Sequence, residues 1–236
     1  MYNSLHLLIA VSSTVLFPLN LSADLVLSYI SSSSTTNPSA TANGTADGLV
    51  SANLQQSGGL AANAGGTFNW RGWDTANTSF DGAVTANDSW TFGFTVGATG
   101  VGGNVSSVDL TTLSMRVDRS PSGPDDIELR AYVNGGSETS IFTHDYVDSG
   151  SGRNFSNLDI SSIGPLSVGD TIQFVFAAFN SESSGGTMDL ENLSSGNGIE
   201  VNGNVNFSSV PEPTSLLMFG ATALIGLQRR RKTSRI

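Results

Sequence analysis

Ser89-Trp90-Thr91-Phe92-Gly93-Phe94-Thr95-Val96 sets large apolar side chains at every second position, with small or polar residues between them. Alternate residues of a strand point to opposite faces. The octapeptide therefore predicts a half-buried β-strand with Trp90, Phe92, Phe94 and Val96 inward. The same period recurs along the chain. Ile127, Leu129, Ala131 and Val133 alternate with Glu128, Arg130 and Tyr132; Ile199, Val201, Val205 and Phe207 alternate with Glu200, Asn202, Asn204 and Asn206. Thr171 to Phe179 is apolar on both faces, which predicts a central strand. Between Val108-Leu110 and Leu113-Met115-Val117 the apolar parity flips at Thr111-Thr112, so a bulge there is needed to keep both halves facing inward.

Turn chemistry separates these runs: Pro121-Ser122-Gly123-Pro124, Asn134-Gly135-Gly136, Ser183-Ser184-Gly185-Gly186 and Gly196-Asn197-Gly198. No long stretch between residues 24 and 209 repeats its apolar residues every 3.6 positions. Short strands with Gly-rich turns predict an all-β fold, a two-sheet antiparallel sandwich of jelly-roll type. Residues 31–66 are rich in Ser, Thr, Ala, Asn and Gly and read as loop-like, pinned by Leu49, Val50, Leu54 and Leu60.

Residues 24–209 suit one domain with a full hydrophobic core. They hold nineteen acids against five arginines (Arg71, Arg116, Arg119, Arg130 and Arg153) and no lysine, a net charge of about −14. Such a surface repels nucleic acid and anionic head groups, which excludes nucleic-acid binding. The chain has no cysteine, which removes disulfides, thiol catalysis and thiolate metal sites.

Both ends read as addresses. Leu5 to Phe17 is mostly apolar, Pro18 interrupts it, and Leu21-Ser22-Ala23 forms a cleavage site before Asp24, the layout of a secretory signal peptide over residues 1–23. The layout departs from the usual one in having no Lys or Arg ahead of the apolar stretch. At the other end, Val210-Pro211-Glu212-Pro213-Thr214-Ser215 precedes an apolar run from Leu216 to Leu227 and then Arg229-Arg230-Arg231-Lys232. Pro211 and Pro213 prevent a helix from extending backwards. Twelve helical residues span about 18 Å at about 1.5 Å each, well short of a bilayer core of about 30 Å, so the segment is a weak anchor. The basic cluster belongs on the cytoplasmic side, with everything before it outside.

This order of Pro-Glu-Pro, short apolar helix and basic stop resembles the PEP-CTERM sorting signal of bacterial exported proteins. The resemblance implies an exosortase, a membrane enzyme, as the processing partner of residues 210–236. The string Arg116-Val117-Asp118-Arg119-Ser120-Pro121-Ser122-Gly123-Pro124, the later Tyr132-Val133-Asn134-Gly135 and the terminal Gly198-Ile199-Glu200-Val201-Asn202-Gly203-Asn204-Val205 resemble a recurrent jelly-roll ectodomain of such proteins.

Catalytic chemistry has few residues to work with. His6 falls in the signal peptide, which leaves His144 in an alternating strand with Phe142 and Tyr146, and no Gly-x-Ser-x-Gly elbow presents a nucleophile. Asp125-Asp126 with Glu128, and Asp74 with Asn77 and Asp81, supply hard oxygen ligands of the kind a structural Ca²⁺ takes, without EF-hand spacing. In Phe68-Asn69-Trp70-Arg71-Gly72-Trp73-Asp74 a continuous strand would put Trp73 beside Arg71 on one face, a candidate glycan-stacking pair; the alternative is that both tryptophans cover edges of the core. The expected architecture is thus a signal helix, the sandwich over 24–209 and a short C-terminal apolar helix. The leading reading is a non-enzymatic exported protein of the cell envelope or extracellular matrix. It takes the Sec route, is held transiently in the inner membrane by its C-terminus, and then reaches the surface. The alternative is a carbohydrate-binding module of the extracellular polysaccharide; a third reading is an uncharacterised hydrolase. No cofactor is expected.

Overall fold

The structure is a computed structural model that describes residues 23–30, 39–63, 68–146 and 152–208. The N-terminal signal segment and the C-terminal sorting segment, each expected to be helical, lie outside the described residues.

The described chain is β almost throughout. It opens with β1 (Asp24–Tyr29), followed by the short strands β2 (Ser39–Ala40), β3 (Gly44–Thr45), β4 (Leu49–Ser51), β5 (Leu54–Gln56) and β6 (Ala61–Ala62). Next come β7 (Phe68–Arg71), one helix α1 (Phe80–Ala86), β8 (Ser89–Val96), β9 (Thr99–Gly100) and the long β10 (Gly103–Arg119). The remainder comprises β11 (Pro124–Val133), β12 (Glu138–Asp145), β13 (Arg153–Asp159), β14 (Thr171–Ser181), β15 (Thr187–Glu191) and β16 (Ile199–Phe207). These form two antiparallel sheets packed as a jelly-roll-like sandwich. One has the order β3-β1-β16-β10-β15-β7-β6, with β13 and β9 also on β10; the other runs β12-β11-β14-β8-β5-β2, with β4 on β8.

Aromatic rings fill the space between the sheets. Trp90 stacks on Phe176 at 4.8 Å, Phe92 stacks on Phe174 at 5.0 Å, and Phe68 meets Trp90 edge-on at 5.3 Å. The central strand β14 pairs with β11 on one side and β8 on the other. Its residues Ile172, Phe174, Phe176 and Ala178 enter the main core, whereas Val175 and Ala177 face away and are capped by Phe80 and Ala83 of α1. In β10 the register against β16 shifts between Leu110 and Thr112, at the parity flip. Val108 and Leu110 before the shift and Leu113, Met115 and Val117 after it are all buried.

Three expectations need correction. Residues 31–66 are not simply a loop, because five short strands, β2 to β6, lie within residues 39–62. Leucines seat part of this region: Leu54 of β5 and Leu60 just before β6 are buried and Leu49 of β4 is half-buried, while Val50 stays exposed. The helix α1 also breaks the all-β pattern. Ser79 caps it by accepting the Gly82 amide proton at 3.2 Å, and Asn87 ends it in the left-handed conformation at φ 65°. The third concerns Trp73 and is described with the site.

Gly93 is demanded by the pairing of β8 with β14. A Cβ there would lie 2.0 Å from the Ile172 carbonyl oxygen, and φ is 155°. We therefore expect Gly93→Ala to destabilise the sandwich by about 1–3 kcal/mol, read as a lower melting temperature in circular dichroism, because the two central strands must separate. An unchanged melting temperature would show that the strands are not paired this closely.

Candidate functional site

The strand carrying Trp70 and Arg71 does not continue to Trp73. β7 stops at Arg71, and Gly72 turns the backbone at φ 97°, its amide donating to the Ser184 carbonyl at 3.0 Å. That turn rolls Trp73 into the core, where it is wholly buried and its indole N–H donates to the Trp70 carbonyl at 3.0 Å. Arg71 remains exposed. The two residues therefore do not share an open face, and Trp73 is not a platform for a sugar ring.

The acidic groups are committed within the fold. Asp88 is buried and accepts the Asp74 amide at 2.7 Å and the Asn77 side-chain N–H at 3.0 Å, while Asp74 accepts the Ala76 amide at 2.9 Å. Burial pushes the Asp88 carboxyl above the usual carboxylate range, against the pull of these two donors. Asp81 instead meets Arg130 at 3.3 Å. In the other cluster, Asp125 accepts from Arg119, Asp126 from the Asn180 amide, and Glu128 from Arg130 at 2.7 Å. Among the described residues no three His, Asp or Glu side chains converge on one point. Arg119 gives the Arg116-to-Pro124 string its physical sense. Its guanidinium is fully buried and holds the turn before β11 closed through Asp125 and the carbonyls of Ser120 and Pro121.

His144 lies on β12 with its ring edge-on to Tyr146 at 4.9 Å and to Phe155 of β13 at 5.2 Å. Its Nε2 is buried and has no hydrogen-bond partner. This is a packing role. Burial, then the charge of Arg153, lowers the imidazole pKa, with Asp145 and Asp126 opposing. A depressed folded value means the unfolded chain takes up the proton first. Stability is therefore present above about pH 6.5 and is lost as pH falls below it toward the folded value. We expect the melting temperature of wild type to fall more between pH 7 and pH 5 than that of His144→Phe. Asp88 and Asp118, both raised chiefly by burial, act with the opposite sign in the more acidic range. The test is therefore the difference between the two chains, and equal slopes would assign the acid response to other groups.

The open surface lies on the outer face of the β12-β11-β14-β8-β5 sheet. Strand registers lay its residues out in rows. Tyr132 is opposite Gln173, which is opposite Gly93; in the next row Arg130 is opposite Val175, then Thr91, then Gln55. The helix α1 covers only the Val175 and Ala177 side of this face. It is held there by Arg130, whose guanidinium lies 3.9 Å above the Phe80 ring and binds Glu128 at 2.7 Å and Glu138 at 2.8 Å. Beyond the helix, Gly93 contributes no side chain, and a hollow of about 510 Å³ opens among Asn53, Gln55, Thr91, Tyr132, Asn134 and Gln173.

Residues 209–232 match the family model described as the PEP-CTERM protein-sorting motif. No curated protein is similar to this chain. Among solved structures, a mutant of a family 29 carbohydrate binding module aligns with a TM-score of 0.36 at 13% identity, over 76% of this chain and 93% of that one. At that score the alignment carries no argument about this fold or its ligands. Pro211, Glu212, Pro213, Arg229, Arg230, Arg231 and Lys232 all belong to the matched segment, which follows β16 almost directly. The chain carries a PEP-CTERM protein-sorting motif over residues 209–232, behind a β-sandwich body.

Proposed function

We propose that the sandwich is a structural module of the cell envelope or extracellular matrix, exported by the Sec machinery and processed at its C-terminus by an exosortase. Signal cleavage after Ala23 leaves Asp24 as the first residue of β1. Before processing, the apolar run behind Pro213 holds the chain in the inner membrane, with Arg229 to Lys232 on the cytoplasmic side. Among the described residues no helix is long and apolar enough to cross a membrane, so this transient anchor rests on the matched segment alone.

One observation carries the reading. β1 and β16 are antiparallel neighbours, with Asp24 opposite Gly203, and β16 ends four residues further on at Phe207. The start and the end of the body thus leave the same end of one sheet, about 14 Å apart along the strand direction at about 3.4 Å per residue. This arrangement supports a body that meets the membrane through both termini at once and is then freed by two cuts. Mass spectrometry of the protein recovered from a host with an exosortase tests it. The expected mature chain begins at Asp24 and has lost some or all of residues 210–236. A chain recovered only with both ends intact would overturn the reading.

A further inference from the structure

We propose that the hollow on the outer sheet face binds a neutral, hydroxyl-rich glycan chain. Gln173 and Gln55 would supply the central polar contacts, Asn53 and Thr91 the flanking ones, and Tyr132 would form one wall. The proposal rests on export only for where such a glycan is met; binding itself is a property of the sandwich.

Chemistry selects the ligand. Gln55, Gln173, Asn53 and Thr91 line the hollow, yet their side chains form no hydrogen bond with any described residue. Each amide offers two donors and an acceptor, and a hydroxyl offers both functions. An apolar occupant would strand these groups without partners, at a loss for each. Sugar hydroxyls, which donate and accept, match them. An anion is disfavoured because the lining holds no free cation and the body carries about −14. The nearby Arg130 is already bound to Glu128, Glu138 and Asp81. A cation is disfavoured too, since no carboxylate lines the hollow.

The site is also built. The Tyr132 hydroxyl is held by Glu138 at 3.2 Å, with its phenol raised above the ordinary value by burial and by that hydrogen bond, so it stays neutral. Asn134, two residues further along the same edge of the hollow, is fixed as well. It donates to Asp170 at 2.7 Å and accepts the Thr171 amide at 2.8 Å. The free amides of Gln173, Gln55 and Asn53 therefore face a hollow whose β11 side, Tyr132 and Asn134, is held in place. The hollow lies mid-face and not at a strand edge, so a peptide adding itself as a further strand has no edge to pair with there. Its size is within the ordinary range for small-molecule and oligomer sites.

The test is native affinity electrophoresis of the full chain through gels containing a neutral glucan, a neutral mannan or xylan, or an acidic polygalacturonate. At least one neutral polymer should retard wild type. Raising the salt about tenfold should leave that retardation unchanged, because no charge pair is involved. Gln55→Ala combined with Gln173→Ala should weaken it about tenfold or more. Both side chains are exposed, so the variant should keep the wild-type melting temperature, which separates loss of binding from loss of fold. Retardation by none of the neutral polymers, retardation only by the acidic one, or undiminished binding by the double variant would each overturn the proposal. None of those outcomes bears on export, which the mature mass reads separately.

Discussion

Trp73→Ala is expected to lower the melting temperature of the sandwich by roughly 10 °C. The side chain is wholly buried, 6.1 Å from the Trp90 ring, and its N–H donates to Trp70. Truncating a buried tryptophan removes its transfer free energy and leaves a cavity, together about 3–5 kcal/mol. In a domain of this size each kcal/mol is worth about 2–4 °C. The neighbouring Arg71→Ala, at an exposed position, should move the midpoint by no more than about 0.5 kcal/mol. Thermal unfolding of both variants beside wild type, followed by circular dichroism, checks the pair. Equal and small shifts would mean that Trp73 is exposed after all and that Gly72 does not turn the strand. The contrast matters for function. A glycan-binding defect in Trp73→Ala would report a damaged fold, whereas the same defect in Gln55→Ala with Gln173→Ala would report a site.

The two tryptophans show where sequence reading succeeds and where it stops. A period of 2 identifies strands because burial on one face is a local property, and β8, β11, β14 and β16 were legible for that reason. The Thr111-Thr112 bulge was legible as well, since an unpaid parity flip would have exposed three core residues. Of the two readings of Trp73, the structure has the core one: the strand period does not extend through Gly72, which takes φ 97° and reverses the face. The helix α1 hid behind its brevity. Seven residues give two turns, and Gly82 and Thr85 weaken the helical pattern; only Ser79 and Asn87, a capping residue and a left-handed terminator, signalled it. His144 followed the strand alternation, but its partner Phe155 comes from β13, a contact no local pattern encodes. The hollow was invisible for the same reason. Gln55, Thr91, Tyr132 and Gln173 each look like an ordinary outward polar residue, and only the registers of four strands bring them together.

The other large effect is expected at the C-terminus. Ending the chain at Ser209 should leave the body intact, because the described sandwich closes with β16 at Phe207. It should abolish both the membrane-held precursor and the processing step, because residues 209–232 are the matched sorting motif. The physical reason lies in the mismatch between the segment and the bilayer. As a helix, the twelve-residue run would cover about 18 Å of a hydrocarbon core of about 30 Å, so its expected insertion is weak and depends on the flanks. On one flank Pro211 and Pro213 would stop a helix from extending backwards, which would leave Pro-Glu-Pro open to an enzyme. On the other, Arg229, Arg230, Arg231 and Lys232 fix the orientation. Substituting all four by Gln should therefore release the precursor from the membrane fraction. Substituting Pro211 and Pro213 by Ala should retain it there uncut, since the helix then runs back through the recognition motif. Fractionation and immunoblotting in a host with an exosortase separates these cases: wild type gives precursor and mature bands, the truncation a single mature-sized band, and the proline variant a precursor alone. Identical bands in identical fractions from wild type and the truncation would mean that residues 210–236 neither anchor nor route the protein.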